Sequence, residues 1–454
     1  MKVAIVGGGL AGVSAAIKLA KVPNVRVILF EAKNRLGGRA GSFLSKSNDG
    51  TAEEVDYCQH VGMGCCQNLK QLIADLGQET DWETHAKLHF YGPNGNHQIL
   101  SSLPLLPAPL HLATWLLKWP GLKLKDRISV AQGMLKIRKL KNNDLLDEQP
   151  ALDWLKEAGQ TDLALDQFWT TIIVSALGEH LRNVSMASVC KVLQDGFLNT
   201  RDAYHLLVPK QPLCTLFNNG SQQTLTKLNV DIRLNSQVKY FESASNGVSI
   251  ESATGKEQFD KVILAVPWFA LNKLSIDPSF RTLEEQITLP MSLESSPITG
   301  IHTWWNNAWL QTPHAVIVGR FCQWVFPKPN SPTHGESNAG EHYYQIVVSA
   351  SHSLKNIPRE DLNRLVHDDL AHVFRNAGTS KLLRTKVVTD PNAVFSVAPG
   401  ALKMRPRVDL IDDRFVLAGD WTKTGWPATM EGAIISGKEA ASVLLANGKR
   451  PKHP

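Results

Sequence analysis

The stretch Lys2-Val-Ala-Ile-Val-Gly-Gly-Gly-Leu-Ala-Gly12, followed further on by Val25-Arg-Val-Ile-Leu-Phe-Glu31, decides how this chain folds. Its two apolar runs are typical of buried parallel strands, and the small apolar residues between them recur at helical spacing. A strand, a glycine-rich turn, a helix and a second strand make up the βαβ unit of dinucleotide-binding folds. The sequence therefore predicts an α/β fold whose N-terminal unit binds a dinucleotide.

Three glycines in this unit have separate tasks. Gly7 permits the tight turn, Gly9 lets the backbone approach a pyrophosphate, and Gly12 lets the helix pack on the strand. The helix N-terminus offers free N–H groups and a partial positive charge to the phosphates. Glu31, which follows at the usual separation of about 20 residues, can accept hydrogen bonds from the adenosine ribose. The predicted cofactor-binding residues of this unit are Gly7, Gly9, Leu10, Ala11, Gly12 and Glu31.

The next residues distinguish between dinucleotides. An arginine, Arg35, precedes a second glycine-rich turn that ends in Gly38 and Arg39. A nicotinamide fold has no evident need for this second loop, whereas a flavin needs a loop that passes close to its large planar ring. The sequence therefore predicts FAD as the cofactor.

This segment resembles the N-terminal fingerprint of the superfamily of FAD-dependent amine oxidases and phytoene desaturases. The resemblance implies that Arg39 lies near the flavin and Arg35 near the diphosphate. It also implies that a later strand returns to the nucleotide unit, where the backbone of Val238 contacts adenine.

A second motif lies near the other end of the chain, at Gly419-Asp-Trp-Thr-Lys-Thr-Gly-Trp-Pro-Ala-Thr-Met-Glu-Gly-Ala433. Asp420 can accept hydrogen bonds from ribityl hydroxyls. The small residues after Thr429 predict a helix whose free N–H groups face the flavin pyrimidine edge, where negative charge develops on reduction. The predicted cofactor-binding residues here are Gly419, Asp420, Met430 and Ala433.

Taken with Gln59-His60 and with the Asp195-Gly-Phe-Leu segment, this motif resembles the squalene-associated FAD-dependent desaturase branch, over nearly the whole chain. The resemblance implies reductive dehydroxylation of hydroxysqualene in squalene and hopanoid biosynthesis. Such a reaction needs an acid that helps the allylic hydroxyl to leave, and hydride from the reduced flavin to quench the cation. His60 and Glu431 are the predicted acids. The residues expected at the substrate are Gln59, Phe168, Trp169 and Trp426, and no metal site is expected.

The expected architecture is a two-domain flavin oxidoreductase with a Rossmann-like FAD domain, a mixed-sheet substrate domain and a helical cap. The FAD domain is predicted to be discontinuous, from residues 1–80, 205–270 and 395–446. The substrate domain would comprise residues 81–204 and 271–394, with the cap at about 103–200. Within the FAD part, the apolar run Phe259–Pro267 predicts a strand that completes a small sheet.

Composition excludes several classes of protein. The chain has 454 residues, of which 43% are hydrophobic and 20% charged, as in ordinary globular proteins. A formal charge of +6 does not favour a nucleic-acid partner. The six cysteines lack paired spacing, and no signal peptide precedes the first strand. We therefore expect reduced thiols and a cytoplasmic protein.

Leu103–Trp119 is an unusual apolar stretch, broken by prolines and followed by many lysines and arginines. Apolar residues with tryptophan and flanking basic residues are typical of contact with a membrane surface. On that hypothesis, residues 103–127 would lie on the inner face of the cytoplasmic membrane. The same pattern fits the mouth of a tunnel for a long isoprenoid substrate, or a buried helical hairpin with a solvated basic face.

Other functions remain open at this stage. A carotenoid or phytoene-type desaturase uses the same fold in the oxidising direction, and an amine oxidase is a further alternative. Outside enzymes, prenyl-binding carriers of the same fold lack FAD. The segments around Gly38-Arg39 and Asp420 argue against a carrier, because a carrier has no use for a loop that faces a flavin.

Overall fold

The computed structural model describes residues 1–46, 52–141, 144–327 and 341–446. Within these ranges, a central cofactor sheet has six strands. Their spatial order is Asp231–Arg233, Arg26–Phe30, Lys2–Val6, Lys261–Leu264, Phe415–Leu417 and Leu410–Ile411. All neighbouring pairs are parallel except the last. The helices Leu10–Ala20, Gly220–Lys227 and Met430–Leu445 pack on one face of this sheet, and a small antiparallel sheet that contains Gly247–Ser252 and Gly255–Phe259 packs on the other. Because both faces are covered, the inner strands read as continuous apolar runs.

The first helix, Leu10–Ala20, packs against the C-terminal helix, Met430–Leu445. Their approach is very close at Gly437, because a Cβ atom there would lie 2.0 Å from the Ala11 carbonyl oxygen. Small residues on both helices thus bring the two ends of the chain together beside the cofactor sheet. The helices Gln67–Asp75 and Gly220–Lys227, the latter preceded by a π-helical turn at Cys214–Asn219, pack onto this pair.

A second, larger sheet is mostly antiparallel. Its seven described strands, in spatial order, are Leu382–Phe395, Ser295–Trp305, His342–Ser349, Trp324–Pro327, Ala315–Ile317, Leu88–Tyr91 and His97–Leu100. The pair Ala315–Ile317 and Leu88–Tyr91 is parallel, so the sheet is mixed. The helix Arg359–Val373 packs on this sheet and is followed by the short helix Arg375–Thr379.

Smaller sheets connect these parts. Their strands are Gly255–Phe259, Gly247–Ser252, Val238–Ala244 and Ser275–Ile276 in one sheet, Gly62–Met63, Leu206–Pro209 and Trp82–His85 in the next, and Ser42–Lys46 with Ala52–Asp56 in the third. The predicted strand within Phe259–Pro267 exists, but its place differs from the expectation. Lys261–Leu264 pairs with Lys2–Val6 in the middle of the cofactor sheet rather than completing a small sheet.

The region between residues 103 and 200 is helical in the structure. Its helices are Ala113–Lys118, Leu124–Lys139, Asp144–Glu148, Ala151–Glu157, Asp162–Ala164, Thr170–Leu177 and Met186–Leu193, with π-helical turns at Leu165–Trp169 and Gln194–Leu198. Outside this region lie the helices Arg281–Thr288 and Ala401–Met404. The cap forms its own aromatic core, in which Trp119 packs edge-on against Phe168.

Candidate active site

A cavity of about 750 Å³ lies where the cofactor sheet, the large sheet and the cap meet. Its size is within the range of about 300–1,000 Å³ that small-molecule sites occupy. One part of its wall comes from the glycine-rich loops and the C-terminal motif. Another part comes from apolar side chains of the cap and the large sheet.

Two glycine-rich loops form the first part of the wall. Gly7 has a φ of +114°, and a Cβ atom on it would lie 2.5 Å from the Ala265 carbonyl oxygen. The second loop lies directly on the first, because the Gly37 N–H donates to the Gly8 carbonyl at 2.9 Å. A Cβ atom on Gly38 would be 3.0 Å from the Gly9 Cα atom. Only glycines allow the two backbones to approach this closely and still border the cavity.

The first helix begins at Gly9, which supplies no side-chain cap, so its N-terminal N–H groups border the cavity. Glu31 also lines the cavity, and its carboxylate is oriented by the backbone. One oxygen accepts from the Gly8 N–H at 2.7 Å and the other from the Lys33 N–H at 2.8 Å. Each carboxylate oxygen keeps a further lone pair that can accept from a ribose hydroxyl.

An ion pair joins the two motifs at the cavity wall. Arg39 Nη2 lies 2.6 Å from Asp420 Oδ1, and Arg39 Nη1 donates to the Ala393 carbonyl at 2.9 Å. The same guanidinium lies over the Trp268 ring, with its central carbon 5.0 Å from the ring centroid. Arg39 is therefore fixed by three separate segments of the chain.

Arg405, which the sequence analysis did not identify, holds the loop that carries Asp420. Its buried guanidinium donates to the carbonyl oxygens of Asp420 at 3.1 Å, Trp421 at 3.3 Å, Thr422 at 2.5 Å and Trp426 at 2.7 Å. Burial lowers its pKa to about 10, so the group stays charged at neutral pH. No local sequence signal points to it, because the motif it supports begins more than ten residues later.

Glu431 has a different environment from the one expected of an acid. Its carboxylate is buried and accepts from the backbone N–H and the side-chain amide of Asn68, both at 3.0 Å, and from the Leu69 N–H at 2.7 Å. These donors belong to the first turn of helix Gln67–Asp75, which no residue of its own caps. The geometry therefore makes Glu431 the cap of a neighbouring helix. The residue also lines the cavity, and its predicted part in proton transfer stays a prediction.

His60 lines the cavity next to Gln59. Its Nδ1 lies 3.0 Å from the Cys58 carbonyl oxygen, so Nδ1 carries a hydrogen that it donates to this oxygen. Nε2 is then the nitrogen that can take up or release a proton. Burial lowers the pKa of this imidazole, and nearby Arg39 lowers it further, although the Cys58 carbonyl and Asp56 oppose the shift. At neutral pH the ring is therefore mostly neutral, and its protonated fraction grows as the pH falls.

The remaining wall is mostly apolar and lies in the cap and the large sheet, although the charged side chains of Lys191, Asp195 and Asp390 also border it. Trp115, Ile172, Phe197, Val316 and Trp324 line it. Trp426 borders the cavity as well, with the Lys191 ammonium 4.8 Å above its ring centroid. Of the predicted cofactor residues outside the loops, Val238, Gly419, Met430 and Ala433 also line the cavity, as do Leu10 and Ala11.

Three predicted site residues lie elsewhere. Phe168 and Trp169 are buried inside the cap, where Trp169 Nε1 donates to Gln160 Oε1 at 2.7 Å. The residues that reach the cavity come one turn later, because the π-helical turn Leu165–Trp169 changes the phase of the helix. Arg35 is directed towards Tyr57, 5.5 Å from the ring centroid, and is not part of the described cavity wall.

Gly12 supports the site without lining it. A Cβ atom there would lie 1.9 Å from the Gly7 carbonyl oxygen, so the first helix could not pack on its strand. The glycine wall, the helix N-terminus, the oriented Glu31 carboxylate and the Arg39–Asp420 pair together fit FAD. Gly7, Gly9 and Glu31 would hold its adenosine diphosphate half, and Arg39, Gly38 and Asp420 its flavin half.

Comparisons with known proteins agree with this geometry. The model of the flavin-containing amine oxidoreductase family matches residues 10–445. A hydroxysqualene dehydroxylase of Zymomonas mobilis is 24% identical, over 98% of this chain and 99% of its own length. A 15-cis-phytoene desaturase of Solanum lycopersicum is also 24% identical, over 98% of this chain and 78% of its own length.

Solved structures confirm the predicted fold class. A putrescine oxidase variant superimposes with a TM-score of 0.72 at 15% identity, covering 98% of this chain and 99% of its own. Cyclohexylamine oxidase of Brevibacterium oxydans gives a TM-score of 0.69 at 18% identity, with 98% of both chains covered. The predicted cofactor, FAD, is likewise confirmed by the family match. The chain therefore belongs to the family of flavin-containing amine oxidoreductases and is an FAD-dependent oxidoreductase.

Proposed function

We propose that this enzyme removes the hydroxyl group of hydroxysqualene reductively and releases squalene and water. The observation that carries the proposal is the apolar part of the cavity, which adjoins the glycine loops and continues into the cap. A long isoprenoid gains its binding energy by burying hydrocarbon, at about 25 cal/mol per Å² of apolar surface. The hydroxysqualene dehydroxylase of Zymomonas mobilis, alignable over almost its whole length, supports the same substrate.

The chain's own residues have three tasks in this reaction. The cap side chains Trp115, Ile172 and Phe197 would bind the hydrocarbon and exclude water, which would otherwise trap an allylic cation. The faces of aromatic rings in the wall can stabilise such a cation. The bound flavin, once reduced, supplies the hydride that completes the product.

The third task is to protonate the leaving hydroxyl, and His60 is the residue that we assign to it. Its Nδ1–H is committed to the Cys58 carbonyl, so a proton for the substrate would come from Nε2 of the imidazolium. A lowered pKa makes that imidazolium scarce at neutral pH but a stronger acid when formed. Glu431, with three N–H donors on its carboxylate, is left out of this assignment.

A second candidate function is desaturation of a phytoene-type carotenoid precursor, which would use the same apolar wall in the oxidising direction. The phytoene desaturases that match along almost the whole chain favour it. Oxidation of an amine is a third candidate: the wall named above is mainly apolar, although the carboxylates of Asp195 and Asp390 also line the cavity. A prenyl-lipid carrier would have no need of the Arg39–Asp420 pair beside a flavin.

A substrate panel distinguishes these functions. Purified holoenzyme, reduced with dithionite, is given hydroxysqualene, while oxidised holoenzyme is given phytoene or a primary amine, and products are identified by mass spectrometry. We expect squalene from hydroxysqualene only. Desaturated phytoene without squalene would replace the proposal with the second candidate. An aldehyde from the amine, without squalene, would replace it with amine oxidation.

A further inference from the structure

The apolar side chains that remain exposed are concentrated in one part of the cap. Among the described residues, nine large apolar side chains are at least half exposed, and six of them lie between Leu105 and Leu135. We call these six the leucine surface: Leu105, Leu110, Leu117, Leu124, Ile128 and Leu135. Such a concentration on a folded protein marks an interaction site.

The helix Leu124–Lys139 has two apolar faces. Its inner face packs Val130, Gly133 and Ile137 into the cap. Leu124, Ile128 and Leu135 are four and seven residues apart, so they form a single outer stripe on the opposite side. Leu124 is 71% exposed. Because the inner face already supplies the packing contacts of the helix, the outer stripe is not needed to hold the helix in place.

The charges around the leucine surface are almost all positive. The exposed basic residues of this helix and its flanks are Lys118, Lys123, Lys125, Lys136, Arg138 and Lys139. The one acid between residues 113 and 141, Asp126, is fully buried and bonded to the Thr161 hydroxyl at 2.6 Å. The segment from residue 113 to residue 141 therefore combines exposed apolar side chains with an excess of positive charge among its own exposed residues.

The leucine surface also lies close to the cavity. On the short helix Ala113–Lys118, Trp115 is buried and lines the cavity, where it packs edge-on against Phe197 at a centroid distance of 5.9 Å. Two residues later, Leu117 is exposed on the outside. The width of one helix thus separates the apolar cavity from the apolar surface.

We propose that the leucine surface is the face by which this enzyme lies on a bilayer containing anionic lipids, and that its isoprenoid substrate enters the cavity from that side. The apolar stripe would lie among the acyl chains, and the flanking lysines and arginines would lie at the anionic headgroups. The charge complementarity selects a lipid surface over a second copy of this chain, whose own leucine surface carries the same positive charge. Among the described residues, no helix is long and apolar enough to cross a membrane.

Cosedimentation with vesicles tests the docking. Wild-type holoenzyme is mixed with vesicles of phosphatidylcholine alone, or with one third phosphatidylglycerol, and the bound fraction is measured. The test variant is Leu124→Gln with Ile128→Gln and Leu135→Gln, none of which lines the cavity. The matched control replaces three residues of similar exposure outside the cap, as Leu44→Gln with Leu289→Gln and Leu383→Gln.

We expect wild-type enzyme and control to bind the anionic vesicles, and the test variant to bind at least about 100-fold more weakly, because it loses three apolar side chains that each contribute up to about tenfold. We expect neutral vesicles to bind wild type at least tenfold more weakly than anionic ones. Equal binding by test variant and control would overturn the proposal. So would a wild-type dimer in analytical ultracentrifugation that the test variant loses, if neither protein binds vesicles.

Activity separates this inference from the proposed function, on which only its substrate-entry part rests. With hydroxysqualene in detergent micelles, the test variant should convert as much substrate as wild type. With hydroxysqualene in anionic vesicles, it should convert at least tenfold less. A variant that is as active as wild type on vesicles would refute entry from the membrane side. Inactivity of both proteins in micelles would instead count against hydroxysqualene as the substrate.

Discussion

Replacing Arg405 tests whether a side chain outside both motifs keeps the flavin half of the site in shape. The guanidinium donates to four carbonyl oxygens of the loop from Asp420 to Trp426, two of them at 2.5 and 2.7 Å. The change Arg405→Met keeps much of the apolar stem but removes every donor. Arg405→Lys keeps the charge, yet one ammonium nitrogen cannot occupy both donor positions, Nε towards Trp421 and Nη2 towards the other three carbonyls.

The expected loss follows from these contacts. A hydrogen bond to a charged group contributes about 1.5–3 kcal/mol, and a buried carbonyl oxygen left without its donor costs about 1–3 kcal/mol. Relief from burying the charge offsets part of this, so about 3 kcal/mol is expected for Arg405→Met. If the loop is disordered in the variant and must be reordered at this free-energy cost when FAD binds, the Kd for FAD rises about 100-fold. Arg405→Lys should raise it by about tenfold.

The assay is titration of FAD into apoprotein, followed by flavin fluorescence, with circular dichroism to show that each variant is folded. Arg407→Met is the matched control, since this nearby arginine is exposed and its only described ion pair, with Asp409, is long at 3.8 Å. A folded Arg405→Met variant that binds FAD as tightly as Arg407→Met would refute the reasoning.

Three further predictions concern single residues of the site. Gly12→Ala places a Cβ atom 1.9 Å from the Gly7 carbonyl oxygen, so this variant should not retain FAD. The control Gly378→Ala, whose Cβ atom meets nothing nearer than 3.4 Å, should retain it. Retained FAD in Gly12→Ala would contradict the packing argument. Glu431→Gln should lower the free energy of unfolding by about 1–3 kcal/mol, while the holoenzyme keeps at least a third of its turnover. A loss of turnover without a loss of stability would instead support Glu431 as the acid. Burial lowers the pKa of His60, so the imidazolium is a minor species at neutral pH and becomes rarer as the pH rises. If this imidazolium is the acid, kcat/KM should decline with rising pH, and His60→Gln should be at least about 100-fold slower. A flat wild-type profile over about pH 5–8 would remove His60 from the role.

Features that depend on neighbours in the chain could be predicted from the sequence. The turn at Gly7, the helix start at Gly9 and the carboxylate at Glu31 all belong to one βαβ unit, whose spacing follows from local geometry. The motif around Asp420 could be recognised for the same reason. These local units are what place the two glycine-rich loops and the C-terminal helix at one cavity.

Features that depend on distant contacts could not be predicted. Arg405 acts through carbonyl oxygens, which leave no trace in the sequence. Glu431 caps the helix Gln67–Asp75, whose donor residue Asn68 lies 363 residues earlier in the chain. Phe168 and Trp169 do not line the cavity, for a different reason. The π-helical turn Leu165–Trp169 adds a residue to one turn and thereby changes which side chains face the cavity.

The strand Lys261–Leu264 combines a feature that local sequence sets with one that a distant contact sets. Its apolar run predicted a buried strand, and the strand exists. Its neighbour, Lys2–Val6, lies more than 250 residues away in sequence, and strand order is set by the crossover connections rather than by the composition of the strand.

Anaerobic reoxidation of the flavin tests the central claim most directly. The holoenzyme is reduced with one equivalent of dithionite, hydroxysqualene is added without oxygen, and the flavin spectrum and the amount of squalene are followed together. We expect the oxidised flavin spectrum to return, with one squalene formed for each flavin reoxidised, because the reaction consumes two electrons and releases water. A flavin that stays reduced in the presence of hydroxysqualene, in enzyme whose reduced flavin oxygen still reoxidises, would contradict it.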